Sequence, residues 1–412
     1  MKKIQSLILF TMAIAISFSC QENDVAPINE PIEVNEIRSV LSNEQLQQIA
    51  TSMGSFINDE DVRSEIMSYA TPITDYEVHR SFKAILSDIN AAGRSTSVFA
   101  EKLSNSLAGC DSCRSNVDLD SILSILEENY AIYAPYLAEN FSESEEAITI
   151  SWYNGIDTTG VTQGILSTAV TNGRVNKDII NVDDTYASNN PTLVIVSLVD
   201  ELLLDPKYTD PCPTDGSPCY DEGSIPYLPR DIDCRNLKDD DILELQMPKY
   251  FLHHNTRNWP NPNYLYFWTV TGEFTVDSNG FVNTSPNVND LWGARKVSRS
   301  NVGEWLSTNV SFLLSNWKQS QTDMRIVVAS YKRRTSVNES GTVKINSDGT
   351  STSEHQIAYT ISKDAARPMF SVAFDRCATL GSITSDEGFG KKDGHRIYRF
   401  GDLSFYFKPV IR

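Results

Sequence analysis

The sequence lacks the short motifs that identify several large enzyme classes. It contains no HExxH zinc-protease motif, no GxSxG nucleophile elbow and no GxxxxGK[ST] phosphate loop. Histidine is scarce, with five residues in 412. Two of them, His253 and His254, are neighbours, which point to opposite faces of a strand and cannot easily bind one metal ion together. These absences favour a protein without catalytic activity, although a carboxylate pair could be hidden among 54 acidic residues.

Long apolar runs are also lacking beyond the amino terminus. No stretch after residue 19 approaches the roughly 18 apolar residues of a transmembrane helix. The one apolar run, "IQSLILFTMAIAISFS", follows Lys2 and Lys3 and is too short to span a membrane comfortably. A basic start before a short apolar core is typical of a secretory signal, so residues 1–19 are predicted to be a signal peptide.

The end of that run, "SFSC", resembles the lipobox of bacterial lipoproteins, in which a small residue precedes an acylated cysteine. The resemblance implies cleavage before Cys20 and acylation of its thiol and new amino group, with residues 20–40 as a flexible tether. Several acyl chains are sufficient for stable membrane anchoring. The acids of "CQEND" resemble the export signal of Bacteroidota lipoproteins, which implies an outer-membrane lipoprotein that faces the cell exterior. The alternative is a secreted protein with an unlipidated Cys20.

The cysteine count agrees with export to an oxidising compartment. Setting Cys20 aside leaves six of the seven cysteines, an even number that suits disulfides. "CDSC" and "CPTDGSPC" read as short local loops, which leaves two cysteines as a long-range pair, although six cysteines allow fifteen connectivities. The predicted pairs are Cys110 with Cys113, Cys212 with Cys219, and Cys234 with Cys377. A redox role for "CDSC" is the alternative, but its surroundings read as a turn after a helix.

Charge is strongly negative and unevenly distributed. The formal net charge is −19, which argues against nucleic acid as a partner. Residues 249–412 carry 20 Lys and Arg against 14 Asp and Glu, whereas residues 1–248 carry 15 against 40. Two regions of opposite sign are therefore expected to join between residues 205 and 245.

The apolar pattern predicts an α+β fold that begins with a mainly helical region, residues 41–204. From Leu41 to about Tyr130, apolar residues recur every three or four positions. Ser42 and Gln45 have the spacing of a capping box at the first helix. After "AITISWYNGI", extended runs such as "PTLVIVSLVDELLL" indicate a mixture of strands and helices.

Residues 205–240 form a connector rich in Pro, Asp and Cys. Its acids could gather around calcium, which takes six to eight oxygen ligands. Their spacing does not match an EF-hand loop, and acidic residues are common in turns, so a stapled turn is the favoured interpretation. The candidate calcium ligands are Asp210, Asp215, Asp221 and Glu222.

Residues 241–412 are predicted to form an antiparallel β-sandwich, because strand-like runs alternate with turn signals at short spacing. The runs include "YLYFWTVTGEFTV", "MRIVVASYKRR", "GTVKIN", "HQIAYTIS", "MFSVAFD" and "DLSFYFKPVI". In the first run, Tyr266 and Trp268 share one face, and Leu265 and Phe267 share the other. Since both faces are apolar, this strand is predicted to be central and buried.

The strand rhythm of this half, with "VVASYKRR" and "FDRCATLGS", resembles the calcium-and-lipid-binding β-sandwich family, whose acidic loops hold calcium. The loops of this chain depart from the pattern. Where carboxylates would stand, it has Lys332, Arg333 and Arg334 in one place and Arg376 with its neighbours in the other. The resemblance therefore implies the fold and places calcium-dependent binding in doubt.

Aromatic and basic side chains are the best candidates for ligand binding. Trp259 and Trp292 stand beside turn residues, where a rigid ring offers contact area at little entropic cost. Trp268, Trp305 and Trp317 are predicted to fill the core. A basic cluster could meet an anionic glycan, a lipid headgroup or the acidic N-terminal region. That cluster consists of Lys332, Arg333 and Arg334.

Together these features predict a lipid-anchored, surface-exposed and non-enzymatic binding protein. Its β-sandwich would contact a glycan or a protein partner, and it would need no cofactor unless calcium binds. The alternative is a secreted hydrolase with an unrecognised acidic site between the two regions, which would require two carboxylates about 5 to 9.5 Å apart.

Overall fold

The first helix begins at the predicted capping box. α1 (Asn43–Met53) follows Ser42, whose hydroxyl accepts from the Gln45 backbone N–H, while the Gln45 side chain accepts from the Ser42 N–H. These bonds satisfy backbone donors that a helix end otherwise leaves unpaired. The computed structural model that shows this describes residues 41–70, 79–86, 97–108, 119–137, 147–155, 159–171, 174–198, 229–237, 241–276, 282–291, 293–308, 313–346 and 354–411.

The N-terminal region combines helices with one sheet. The helices after α1 are α2 (Glu60–Ala70), α3 (Phe82–Leu86), α4 (Val98–Ala108), α5 (Leu119–Asn129) and α6 (Asp184–Asn189). The strands are β1 (His79–Ser81), β2 (Tyr130–Tyr133), β3 (Thr149–Tyr153), β4 (Thr162–Thr171), β5 (Arg174–Val182) and β6 (Thr192–Ser197). The region is therefore mixed, and the helical pattern predicted to about Tyr130 ends at Asn129, where β2 follows directly.

Six strands of this region lie in the order β1-β2-β6-β3-β4-β5, and only the β3–β6 pair is parallel. One face of the sheet shares an apolar core with the helices, to which Leu46, Phe99 and Ile150 belong. The opposite face carries a second cluster that includes Tyr133 and Val194. Both faces of the sheet are therefore covered by other parts of the chain.

The C-terminal region is built from strands. They are β7 (Leu243–Gln246), β8 (Lys249–Leu252), β9 (Asn263–Val276), β10 (Val282–Asp290), β11 (Arg295–Val297), β12 (Trp305–Ser307), β13 (Asp323–Asn346), β14 (Glu354–Asp375), β15 (Lys391–Lys392), β16 (His395–Phe400), β17 (Leu403–Tyr406) and β18 (Lys408–Ile411). One antiparallel sheet has the order β10-β9-β13-β14 with β11 beside β9, a second has the order β12-β8-β17-β16-β15, and β7 pairs with β18.

β9 is an interior strand with apolar residues on both faces, as its sequence predicts. On one face, Phe267 joins a core that the second sheet completes with Tyr250 and Phe405. On the other face, Tyr266 and Trp268 belong to a separate apolar cluster. The two sheets therefore share a core through their inner faces.

That separate cluster is closed by a long hairpin folded back on itself. β13 and β14 run for 24 and 22 residues, so they join runs that the sequence predicts as separate strands. The β13 pairing is interrupted between Tyr331 and Ser336. Beyond this bend the strand returns, so that Asn346 N–H donates to Ser320 C=O at 2.7 Å. The far half of the hairpin, including Ile345, thereby covers the first half.

The predicted long-range cysteine pair is confirmed. Cys234, in a short 3-10 turn, and Cys377, in α7 (Arg376–Leu380), lie at disulfide distance with Cα atoms 5.2 Å apart. The other predicted cysteines, Cys20, Cys110, Cys113, Cys212 and Cys219, lie outside the described residues. No helix in the described part of the chain is long and apolar enough to cross a membrane.

Candidate functional site

Trp259 does not form an exposed platform. Its side chain is 2 % exposed and belongs to the apolar cluster of Tyr153, Val194 and Val196 on the N-terminal sheet. Its indole N–H donates to the Thr162 hydroxyl at 3.0 Å. The prediction of an exposed ligand-binding residue here is wrong, because the Pro- and Asn-rich loop lies against a sheet formed by a distant part of the chain.

An ion pair between a buried arginine and a partly exposed aspartate, here called the clamp, adjoins Trp259. The Arg299 guanidinium donates to both carboxylate oxygens of Asp184, at 2.7 and 2.8 Å, and lies 5.8 Å from the Trp259 ring centroid. The Tyr136 hydroxyl donates to Asp184 at 2.7 Å. Burial alone would raise the pKa of Asp184, but the guanidinium and the Tyr136 hydroxyl hold that pKa below its ordinary value. The clamp thus joins the two regions. It contains one carboxylate, which is ion-paired with Arg299, whereas the predicted hydrolase site would need two carboxylates, one acting as acid and one as base.

The basic cluster lies at the bend of the folded hairpin. Lys332, Arg333 and Arg334 are all exposed, and Arg334 has a φ of 61°. Arg333 donates to the Gly155 carbonyl of the N-terminal region at 3.2 Å. The three cations of the predicted cluster therefore all lie at the surface. Arg333 contacts the acidic N-terminal region through a backbone carbonyl and not through an ion pair.

The outer face of the second C-terminal sheet presents side chains that the sequence-based prediction missed. Trp305 pairs across the strands with Phe251, Phe251 with Ser404, and Ser404 with Arg399. Since directly opposed residues point to the same side of a sheet, these four form one line, here called the aromatic row. It spans about 14 Å over three inter-strand steps. Trp305 and Phe251 are partly exposed and Arg399 is exposed, whereas Ser404 between Phe251 and Arg399 is buried, so the row is accessible to solvent through its two rings and its arginine.

The rings of the aromatic row contact one another and further aromatic side chains. The Trp305 ring lies 5.5 Å from Phe251 and 5.8 Å from Tyr406, and the Phe251 ring lies 4.6 Å from His253, measured between centroids. Lys392 places its ammonium 5.9 Å from the Trp305 centroid. Such mutual contacts hold the rings in fixed orientations, which lowers the entropic cost of binding a ligand.

Polar groups border the row. The Asp393 carboxylate accepts from the Tyr406 hydroxyl at 2.7 Å and from Lys249 at 3.4 Å. Burial would raise the pKa of Asp393, but the Tyr406 hydroxyl and the Lys249 and Lys392 ammonium groups hold it below its ordinary value. Burial, with nearby Arg399, lowers the pKa of His253. At neutral pH the site therefore offers an ionised carboxylate and an uncharged imidazole.

The His253 and Ser404 side chains form a contact that also occurs in nucleophilic enzymes. Their Nε2 and Oγ atoms are 2.8 Å apart. Ser404 is only 3 % exposed and lies within β17, which pairs with β8 on one side and β16 on the other. Because ladder pairing engages the strand backbone there, Ser404 does not sit on the kind of turn that presents N–H groups to an oxyanion. The contact is better explained as a hydrogen bond that orients the imidazole.

A polar groove of about 530 Å³ lies in the N-terminal region. Its lining residues are Glu44, Gln47, Gln48, Thr51, Ser52, Ser55, Ser106 and Lys177. Lys177 donates to the Thr51 carbonyl in the last turn of α1 at 2.6 Å, where a cation complements the helix dipole. Burial lowers the pKa of Lys177. The groove offers no aromatic ring, and its one cation already has a role at the end of a helix.

Several predicted site residues lie outside the described residues, namely Trp292 and the candidate calcium ligands Asp210, Asp215, Asp221 and Glu222. Among the described residues, no group of three or more His, Cys, Asp or Glu side chains is placed to hold a metal ion. His253 and His254 bond instead to Ser404 and Asp402, respectively.

The sequence predicts Trp305 in the core together with Trp268 and Trp317, and this prediction is wrong for Trp305, which is partly exposed on the aromatic row. The other two are buried, at 5 % and 0 % exposure. A signal is present in "KYFLHH", where two polar residues, Lys249 and His253, share the face of Phe251 and alternate with Tyr250 and Leu252, which indicates that this face is the one toward solvent. No protein-family model, no curated protein and no solved structure matches the chain.

Proposed function

We propose that this chain is a lipid-anchored, surface-exposed binding protein without catalytic activity, and that its C-terminal β-sandwich holds a glycan on the aromatic row. The aromatic row itself carries the proposal. The rings of Trp305 and Phe251 are partly exposed and in contact with each other, which suits stacking on the apolar face of a sugar. The bordering polar groups suit hydrogen bonds with the hydroxyl groups of the sugar. A row of about 14 Å favours an oligosaccharide over a single sugar.

The proposed location rests on the amino terminus. The apolar run after Lys2 and Lys3, the serine before Cys20 and the acids that follow together support an acylated cysteine on the outer membrane. The membrane would then be contacted through the lipid alone, which leaves the C-terminal sheets available to ligands outside the cell.

Affinity electrophoresis in gels that contain starch, xylan, mannan or mixed-linkage β-glucan tests the proposal. We expect at least one of these polysaccharides to retard the wild-type protein, and Trp305→Ala or Phe251→Ala to lower its affinity about tenfold or more, as loss of a central aromatic contact does. Ile179→Ala removes an exposed apolar side chain (57 % exposed) from a different sheet and should change nothing. Retardation by none of the polysaccharides, or equal retardation of the Trp305 variant, would contradict the proposal.

A further inference from the structure

The bend of the folded hairpin carries one more positive charge than the consecutive residues 332–334 supply, because a residue of the neighbouring strand lies beside them. Arg367 on β14 pairs with Ser330, two residues before Lys332 on β13. Strand pairing therefore adds an exposed fourth cation to the cluster of Lys332, Arg333 and Arg334. These four residues are here called the basic bend.

None of the four cations of the basic bend has a salt-bridge partner among the described residues. Elsewhere in the chain, lysines such as Lys102, Lys344 and Lys391 each lie 2.5 to 3.0 Å from a carboxylate. At the bend itself, Asp364 is the nearest acid in sequence, and its carboxylate accepts from the Ser336 hydroxyl at 2.8 Å. A protein with a net charge of −19 thus keeps four neighbouring cations available to an anion.

We infer that the basic bend binds an anionic polysaccharide through its carboxylate or sulfate groups. Arginine suits both groups because its guanidinium donates two parallel hydrogen bonds. The site is separate from the aromatic row, which lies on the other C-terminal sheet, and the inference does not depend on that row.

The surroundings of the bend favour a flexible polysaccharide over other polyanions. The one aromatic residue between 330 and 336, Tyr331, is 1 % exposed, so this segment offers no ring on which bases of single-stranded nucleic acid could stack. Arg333 lies against the acidic N-terminal region at Gly155. A duplex or an anionic bilayer presents an extended surface of negative charge, part of which would lie over the acidic N-terminal region and be repelled by it. A flexible chain can contact the bend alone.

Binding to immobilised dextran sulfate and polygalacturonate, with unmodified dextran as the neutral reference, tests the inference. Single-stranded DNA and vesicles with anionic lipids serve as competing polyanions. The test variant Lys332→Gln/Arg334→Gln/Arg367→Gln leaves the Arg333 contact intact. The matched control, Lys102→Gln/Lys344→Gln/Lys391→Gln, removes the same charge from lysines that already have carboxylate partners. Each variant is first compared with the wild type by circular dichroism and thermal unfolding.

We expect the wild type and the control to bind dextran sulfate or polygalacturonate but not dextran, and the test variant to bind at least about tenfold more weakly at low salt. The salt dependence of the remaining binding should also be flatter, since fewer counterions are released. Equal weakening in both variants, absence of binding to either anionic polysaccharide, or tighter binding to DNA or vesicles would overturn the inference. A test variant that unfolds is replaced by Arg367→Gln alone, for which a proportionally smaller loss is expected.

Discussion

Trp259 is predicted to be the largest single contribution to the contact between the two regions. The ring is carried by the C-terminal part of the chain, yet it is 2 % exposed on the N-terminal sheet. Replacing it by alanine removes the indole and leaves a cavity that rigid strands on both sides cannot easily fill. We therefore expect Trp259→Ala to destabilise the whole protein rather than one loop.

The magnitude follows from three contacts. Truncation of a buried tryptophan costs about 3–5 kcal/mol through lost transfer energy and the cavity. Loss of the indole hydrogen bond adds about 1 kcal/mol at most, because the Thr162 hydroxyl keeps its contacts with Ser151 and Val182 at 2.6 and 3.2 Å. The Arg299 guanidinium also loses the face of the ring. These terms overlap, so we expect a total of about 4 kcal/mol.

Urea unfolding followed by circular dichroism measures this loss, with the unfolding free energy obtained by linear extrapolation. Trp259→Phe retains an aromatic ring and loses the hydrogen bond, so it should cost about 1–2 kcal/mol. Trp305→Ala is the matched control on the partly exposed aromatic row, and it should cost about 1 kcal/mol or less. A Trp259→Ala cost below about 1.5 kcal/mol, or one equal to that of Trp305→Ala, would refute this reasoning.

Two further changes test the folded hairpin and the clamp. A Cβ at Gly272 would clash with the side chains of Ile345 and Ile357, so Gly272→Ala should lower the unfolding free energy by about 1–3 kcal/mol; an unchanged urea midpoint would contradict the observed packing. The lowered pKa of Asp184 means that its ion pair with Arg299 stabilises the protein above the ordinary value of 3.8 and loses this effect as the pH falls through the folded-state value. Asp184→Asn should therefore be clearly less stable than the wild type at pH 7, and this difference should shrink at pH 3; a constant difference would argue against the ion pair.

Features that depend on a single segment, or on eliminating alternative cysteine pairs, were predictable from the sequence. The capping box at Ser42 and the double-sided apolar pattern of β9 are local signals, and both are confirmed. The pairing of Cys234 with Cys377 followed from assigning the closer cysteines to local loops, and the structure confirms that pair. The first two features have their physical cause within one segment, whereas the disulfide pair was reached by elimination among the cysteines.

Features that depend on which surfaces meet were not predictable in the same way. Trp259 stands in a Pro- and Asn-rich loop, a composition typical of exposed segments, but a distant sheet covers it. Trp305 stands in an ordinary short strand, and only the cross-strand register with Phe251 places it on the outer face. The folding back of β13 likewise depends on contacts between its two ends, near Ser320 and Asn346, which no local pattern contains.

The opposite charges of the two regions bear on what the basic bend is available to bind. If the cations of the basic bend served mainly to hold the acidic region, they would form ion pairs across the contact. Among the described residues, the contact includes the ion pair of Arg299, which lies outside the bend, with Asp184, and Trp259 packs beside it, while Arg333 of the bend reaches only a backbone carbonyl. One buried arginine that donates two hydrogen bonds to a carboxylate is enough for orientation, because such bidentate pairs are specific in geometry. The exposed cations of the bend are therefore not paired with carboxylates of the described residues, and an external anion is the partner that would account for their clustering.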